Sequence, residues 1–505
     1  MWRCRGKSVF CVECFSPPTV DNSIMPASLA LLHKTPFHLD PRPLSGCASP
    51  HAGLLSVSRT ARALHLPGLI EANVAVKQRD RGLADAQYVE SILLSVVAGG
   101  EGYSDLAVLA ADPLLEKGLG YAPAQPDAAR KFVEAFHDPD WERDRPPRDQ
   151  QKTFFPEPTA PLVGLGVAQA GLVHNIARAY GAQDRALTRA TLDADTTLIF
   201  CDKQDAKPTY EGPRGYQPLL VAWAEADLVV ADEFREGNVP ARQAPLPCVR
   251  AAFAALPDTV SQRFFRGDSA CHENELLAWL SAPQRAEEPG GAIGFAVSAV
   301  QSEPLAAALR AVAEAAWQTF GTESDGTLRQ WTELDFVPSL PSEHKDAKPL
   351  RYVGLRLVKP QGELFADGTR YHYHAVITNR ELPGDELLKW HRQKAGTIEH
   401  VHDEVKNDLG GARLPSGKFG ANAAWLRMIL MAYNVVSAQR ALALGEELST
   451  ARLKRLRLRV YALSGRMSHT GNTLKLRLHA CGEAIRRLQR VWEVFAVPTQ
   501  ATYSG

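Results

Sequence analysis

Thr191–Cys201 reads TLDADTTLIFC, and at this point the chain changes period from helical to alternating. Asp193 and Asp195 lie two apart in a strand-like run, so both side chains point to one face of a sheet, and Thr196-Thr197 carries the strand onward. Working outward, Tyr216–Ala222 and Leu228–Asp232 are short apolar or alternating runs separated by Gly and Pro turns, and with the first run they read as a three-stranded meander. A helix over Cys248–Leu256 follows, then a fourth strand, Ser261–Gly267, that runs out at Asp268. An amphipathic helix near Glu273–Leu280 and a fifth apolar run at Ala292–Val300 complete the series.

Three antiparallel strands, a helix and a further strand predict an α/β fold in the order of a ribonuclease-H-like sheet, an order that other α/β folds share. After Val300 the chain makes a long excursion with a helix over Glu303–Phe320 and strands at Arg351–Val358 and Tyr371–Thr378, which reads as a strand-rich insertion. Helical pattern returns at Asp385–Asp408 and at Asn422–Leu442. Upstream, Asp85–Val97 and Ala128–Phe136 have helical spacing between turn residues, and Val163–Tyr180 is helical again after a Pro-rich stretch. The expected organisation is an irregular tail over 1–50, a helical domain over 51–185, a first core segment over 186–300, the insertion over 301–382, a second core segment over 383–440, and a basic region over 441–505.

A chain of 505 residues is too long for one ordinary hydrophobic core and predicts two to four structural units. Hydrophobic content of 45% and charged content of 23% are those of a globular protein, and the formal net charge is zero. That balance argues against a simple basic coat protein, yet it leaves room for local basic surfaces. The clearest is Ala451–Arg490, with eleven Lys or Arg against the single acid Glu483, although its interleaved leucines say that part of it packs. No uninterrupted apolar run reaches the roughly 18 residues of a membrane span, no secretory signal is read at Met1–Phe15, and Met25 begins more ordinary sequence. Eight scattered cysteines give no disulfide framework and fit a reducing cytoplasm; only Cys11 and Cys14 are spaced as a Cys-x-x-Cys pair, which without a second pair reads as incidental.

Three acids fall where a two-metal site would want them. Asp195 is near the end of a strand, Asp268 follows Gly267 at the end of another, and Glu399 shares a helix face with Arg392 and Lys406 at spacings of seven, beside an apolar stripe of Ile398, Val401 and Val405. Divalent ions such as Mg²⁺ need a few hard carboxylate ligands and keep other positions for water and phosphate, so in-line phosphoryl chemistry is the reaction such a set would serve. Spacing alone also fits turn-forming aspartates and a solvated helix face. His372, His374, His400 and His402 suggest zinc, but the helical pair His400 and His402, two apart, diverge and no HExxH run exists; the histidines read as solvent-exposed or DNA-facing.

The run LDADTT (192–197), the run FRGDS (265–269) and the stretch EHVHDEVKNDLGGARLPSGKFGANAAWLRMILMAYNVVS (399–437) resemble, in order, the three catalytic blocks of DDE transposases of bacterial insertion sequences, in particular the group-1 DDE domain of the 1380-like insertion-sequence family. YEGPRGYQPL (210–219), FREGNVPA (234–241) and YHYHAVITN (371–379) are similar to the connecting pieces. The resemblance implies catalytic, metal-holding roles for Asp195, Asp268 and Glu399, with Asp195 favoured over its rival Asp193 by the following Thr pair. It implies a Mg²⁺ cofactor, with Mn²⁺ able to substitute. Ala395 stands where an arginine is frequent one turn before the glutamate, which leaves Arg392, Lys394 and Lys406 as the candidates for gripping DNA.

The function so implied is cut-and-paste transposition: cleavage at insertion-sequence ends and strand transfer into target DNA. The partners would be double-stranded DNA, as terminal inverted repeats and target, and a second copy of the chain in the DNA complex, with no membrane. The setting would be the bacterial cytoplasm, at the nucleoid when DNA-bound. An inactive end-binding repressor and a ribonuclease-H-like nuclease that only hydrolyses are the alternatives.

Overall fold

The alternating run around Asp195 becomes an interior strand, third from one edge, of a nine-stranded mixed sheet. The computed structural model describes residues 46–496 apart from 78–80, 148–149, 151–152, 204–205, 286–290, 292, 339–349 and 472. Cys11, Cys14, Met25 and most of the expected tail lie outside the described residues. In chain order the strands are β1 (Cys47–Ser49), β2 (Arg189–Thr196), β3 (Ile199–Phe200), β4 (Lys207–Pro208), β5 (Arg214–Tyr216), β6 (Leu219–Trp223), β7 (Leu228–Glu233), β8 (Gln262–Gly267), β9 (Gly294–Ser298), β10 (Gln318–Thr322), β11 (Leu328–Leu334), β12 (Arg351–Val358), β13 (Tyr371–Thr378), β14 (Gly465–Thr470) and β15 (Thr473–Leu478).

The main sheet runs β10-β11-β12-β13-β9-β8-β2-β6-β7. β2, β6 and β7 form the expected antiparallel meander. On its other edge β2 pairs in parallel with β8, and β8 with β9, so the ends of β2 and β8 meet on one rim. The strands expected in an insertion extend this same sheet: β13 pairs antiparallel with β9 through Val376↔Ser298, Ile377↔Val297 and Thr378↔Ala296, and β12, β11 and β10 follow. The edge of β9 is thereby covered, which removes an open row of backbone donors and acceptors.

The helix expected over 303–320 stops at Ala311, and Gln318–Thr322 is strand β10. Trp317, Thr319, Phe320 and Thr322 are β-forming residues, and pairing with β11 decides their state. The end of the expected tail is also ordered, since Cys47–Ser49 pairs with β14.

The helix Phe419–Leu442 is buried on nearly every face, as an all-round apolar sequence requires. It packs against β7 and the helices Asp85–Ala98 and Ala160–Gly181. Its Asn434 bonds both the N–H and the carbonyl of Val229, 2.8 Å each, beside a bulge where β6 and β7 slip register. Ala160–Gly181 is long and apolar enough to cross a membrane by composition, although Gln169, His174, Asn175 and Arg178 interrupt its apolar run; here it is half buried and packs within the fold.

The helix expected over 385–408 is three pieces: Gly384–Arg392, Lys394–Asp403 and a π turn at Glu404–Asp408. Leu387 and Leu388 of the first piece pack on Ala296, Val353 and Val376 of β9, β12 and β13. The π turn aims both Glu404 and Asp408 inward, where they are buried.

Candidate active site

Asp193 and Asp195 share a face of β2 but not a fate. Asp193 is fully buried opposite Arg266 of β8, which donates from Nε at 2.6 Å and Nη2 at 2.8 Å, and the Thr397 hydroxyl donates to it as well. Arg266 in turn donates to the Trp390 carbonyl at 2.7 Å. This bidentate, buried pair clamps β2, β8 and the start of the glutamate helix Lys394–Asp403 together.

Asp195 sits one step beyond the last β2–β8 register pair, Ala194↔Gly267, and its side chain is 19% exposed. Asp268 is the matching residue after β8, so the two carboxylates leave neighbouring parallel strands about 4.8 Å apart in backbone spacing. Burial first, and then the charge of Asp195, push the Asp268 carboxyl above its ordinary value, while Lys394 and the backbone N–H groups of Ala270 and Cys271 pull it back. Gly267 is required by close approach, since a Cβ there would meet the Cys271 Cβ at 2.5 Å. Exposed Tyr210 lies near enough for both Asp195 and Asp268 to act on its hydroxyl.

Lys394 is the cation that meets these acids, its Nζ 3.4 Å from Asp195 Oδ2. His391, one turn earlier, holds the rim: Nε2 lies 3.0 Å from the Gly267 carbonyl, and burial drives the ring down to about 4, so it is neutral and donates. Glu399 is exposed on the same helix as Lys394. With His391, Lys394, Ser298 and His374 it borders a groove of about 360 Å³. Glu399 has no hydrogen-bond or ion-pair partner among the described residues, unlike Asp403, Glu404 and Asp408 beyond it, which are all paired.

The fold thus brings Asp195 and Asp268 together and sets Glu399 beside an adjoining groove. Among the described residues no three acid, His or Cys side chains stand ready to hold one ion. The donor chemistry nevertheless fits a divalent cation: two neighbouring carboxylates, one destabilised by the other, share a single lysine.

The other expected DNA-gripping residues have partners within the chain. Arg392 donates to Glu323 at 2.9 Å, and Lys406 reaches the Thr197 hydroxyl at 3.1 Å and the Leu198 carbonyl at 3.2 Å. The histidines are not uniformly outward as expected. His402 is buried beside Ile398 and Val401 on the inward face of its helix and is pushed down to about 3 by that burial, and His400 pairs with Glu404. Sequence reasoning missed His391, Thr397 and the Asp193–Arg266 pair, all of which act across elements distant in the chain.

The family model for the transposase DDE domain group 1 matches residues 46–493. The chain belongs to that family. As a DDE-domain transposase it has the DNA transposase function of the group, and with it the nuclease and transesterification chemistry and divalent-metal use that the group implies. No curated protein matches this transposase. Among solved structures it is similar to a piggyBac transposase in a synaptic complex with hairpin DNA determined by cryo-EM, at 11% identity and a TM-score of 0.37, over 81% of this chain and 80% of that one.

Proposed function

We propose that this chain cuts phosphodiester bonds at the ends of an insertion sequence of the 1380-like kind and joins the freed 3′ hydroxyls to target DNA, using Asp195, Asp268 and Glu399 on a ribonuclease-H-like core. The observation that carries the reading is the pairing of Asp195 and Asp268 at the ends of adjacent parallel strands, inside a chain matched by the transposase family model. The strand order β7-β6-β2-β8-β9 supports the ribonuclease-H-like assignment.

Asp195, Asp268 and Glu399 would hold Mg²⁺, or Mn²⁺ in its place, and the bound ions would lower the pKa of the attacking water or hydroxyl and stabilise the leaving 3′ oxygen. The chain's own residues do the positioning. Arg266, Asp193 and Thr397 fix the glutamate helix on β2, and His391 fixes the turn that carries Asp268. Lys394 neutralises Asp195 and is placed to exchange that carboxylate for a substrate phosphate. Arg392 and Lys406 would serve the same strand after giving up their present partners. Two copies of the chain would synapse two ends, in a bacterial cytoplasm at the nucleoid, and the reaction would follow a cut-and-paste course.

The test is strand nicking in Mg²⁺ on a duplex carrying the inverted repeat that flanks the gene, followed by joining to a plasmid. Wild type should nick and join, and Asp268→Asn and Glu399→Gln should do neither. Nicking that survives Asp268→Asn contradicts the site; cutting without joining favours a purely hydrolytic nuclease.

A further inference from the structure

Of the eleven cations of 451–490, Arg486 and Arg490 are exposed on the C-terminal helix, and the other nine fall into two groups. Arg452, Lys454, Arg455, Arg459 and Arg487 are matched to Asp403, Asp408, Glu447 or Glu483, and Arg457 donates to the carbonyls of Val96, Val97 and Asp408. Arg452, Lys454 and Arg457 tie the C-terminal region to the core, and Arg455, Arg459 and Arg487 hold it together internally. Arg466, Lys475 and Arg477, by contrast, are exposed and have no acid or carbonyl partner among the described residues.

All three lie on one face of the hairpin β14–β15. The register pairs Arg466 with Arg477, Ser468 with Lys475 and Thr470 with Thr473, so this face presents three cations and three hydroxyls and no acid. Two guanidinium groups directly across a strand pair repel one another, a cost that intramolecular packing does not relieve here. The opposite face is apolar: Met467, Leu476 and Leu478 turn toward Leu55, Ile485 and Trp492 around a groove of about 710 Å³. That burial fixes the basic face outward. β15 is also the free edge of its small sheet, order β1-β14-β15, so its outer backbone is open.

We propose that the outer face of β14–β15 is a phosphate-backbone contact surface for duplex DNA, with Arg466, Lys475 and Arg477 each neutralising a phosphate and Ser468, Thr470 and Thr473 donating to the same oxygens. It rests on the transposase reading, and lies on elements separate from the acids. A two-stranded ribbon with like charges along it matches a line of phosphates, and contacts to phosphates carry no sequence information.

The experiment is fluorescence anisotropy of the full chain on a random-sequence duplex over a salt series. Each phosphate contact contributes about 0.9 to the slope of log K against log salt, so Arg466→Gln/Lys475→Gln/Arg477→Gln should flatten the slope by about 2.7, and Arg477→Gln alone by about 0.9. The melting temperature should hold or rise, because the substitutions remove a repulsion; should the triple variant fail to fold, the single variant carries the test. A wild-type slope in the folded variants overturns the proposal and leaves the transposase reading intact. Absence of duplex binding by wild type overturns both. Loss of binding to anionic phospholipid vesicles, with the DNA slope unchanged, assigns the face to a membrane surface and also overturns it.

Discussion

Two acidic clusters lie on or against the helical segment 384–408, and they are built in opposite ways. At the π turn, Glu404 is buried and met by Arg440, His400 and the Leu453 N–H, and Asp408 is buried and met by Arg452 and Lys454. At the strand ends, Asp195 and Asp268 share, among the described residues, only Lys394 and a few backbone N–H groups. The first cluster is electrostatically closed and structural. The second carries surplus negative charge at a rim, which is what a cation-dependent site needs. Asp193 and Asp195 repeat the contrast within one strand: the buried acid has its own arginine, and the partly exposed one does not.

The largest effect expected from breaking this contrast is at the closed cluster. Arg440→Met leaves buried Glu404 without its arginine and with His400 alone, and should cost about 3–5 kcal/mol of stability in urea unfolding. The open cluster should respond to cations instead. At a Mg²⁺ concentration 100 times its dissociation constant, wild type should gain about 2.7 kcal/mol in thermal unfolding, and Asp268→Asn should gain much less.

Thr397→Val removes one hydroxyl donor from buried Asp193 and should cost about 1 kcal/mol, with a fall in nicking because Lys394 and Glu399 ride on the same helix. The smallest stability effect is the most diagnostic in sign. The folded carboxyl of Asp268 titrates above its unfolded value, so its contribution is fully present below the unfolded pKa and is lost as pH rises through the folded one. Asp268→Asn should therefore melt slightly higher than wild type at neutral pH without metal, and the gap should close as pH falls below about 4.

The meander and Asp268 at the close of its strand were readable because the sheet period is two and the turn at Gly267 is local. The stripe of Ile398, Val401 and Val405 was readable for the same reason at helical period, and all three are buried. What escaped depends on partners far along the chain. Nothing near Asp193 announces Arg266, and nothing near Gln318–Thr322 announces β11. The LKLRL run at 474–478 did carry a period-two strand signal, but it was read for its charge, and the hairpin went unseen. The π turn at Glu404–Asp408 breaks the spacing of seven on which Lys406 was placed beside Glu399, so Lys406 ends at the Thr197 hydroxyl and the Leu198 carbonyl.

Mn²⁺ titration followed by electron paramagnetic resonance on the DNA-free protein tests the central claim without depending on turnover. Wild type should take up Mn²⁺, Asp195→Asn and Asp268→Asn should each lose that uptake, and Asp193→Asn should retain it if folded. Equal Mn²⁺ uptake by wild type and Asp268→Asn would contradict the assignment of the strand-end acids.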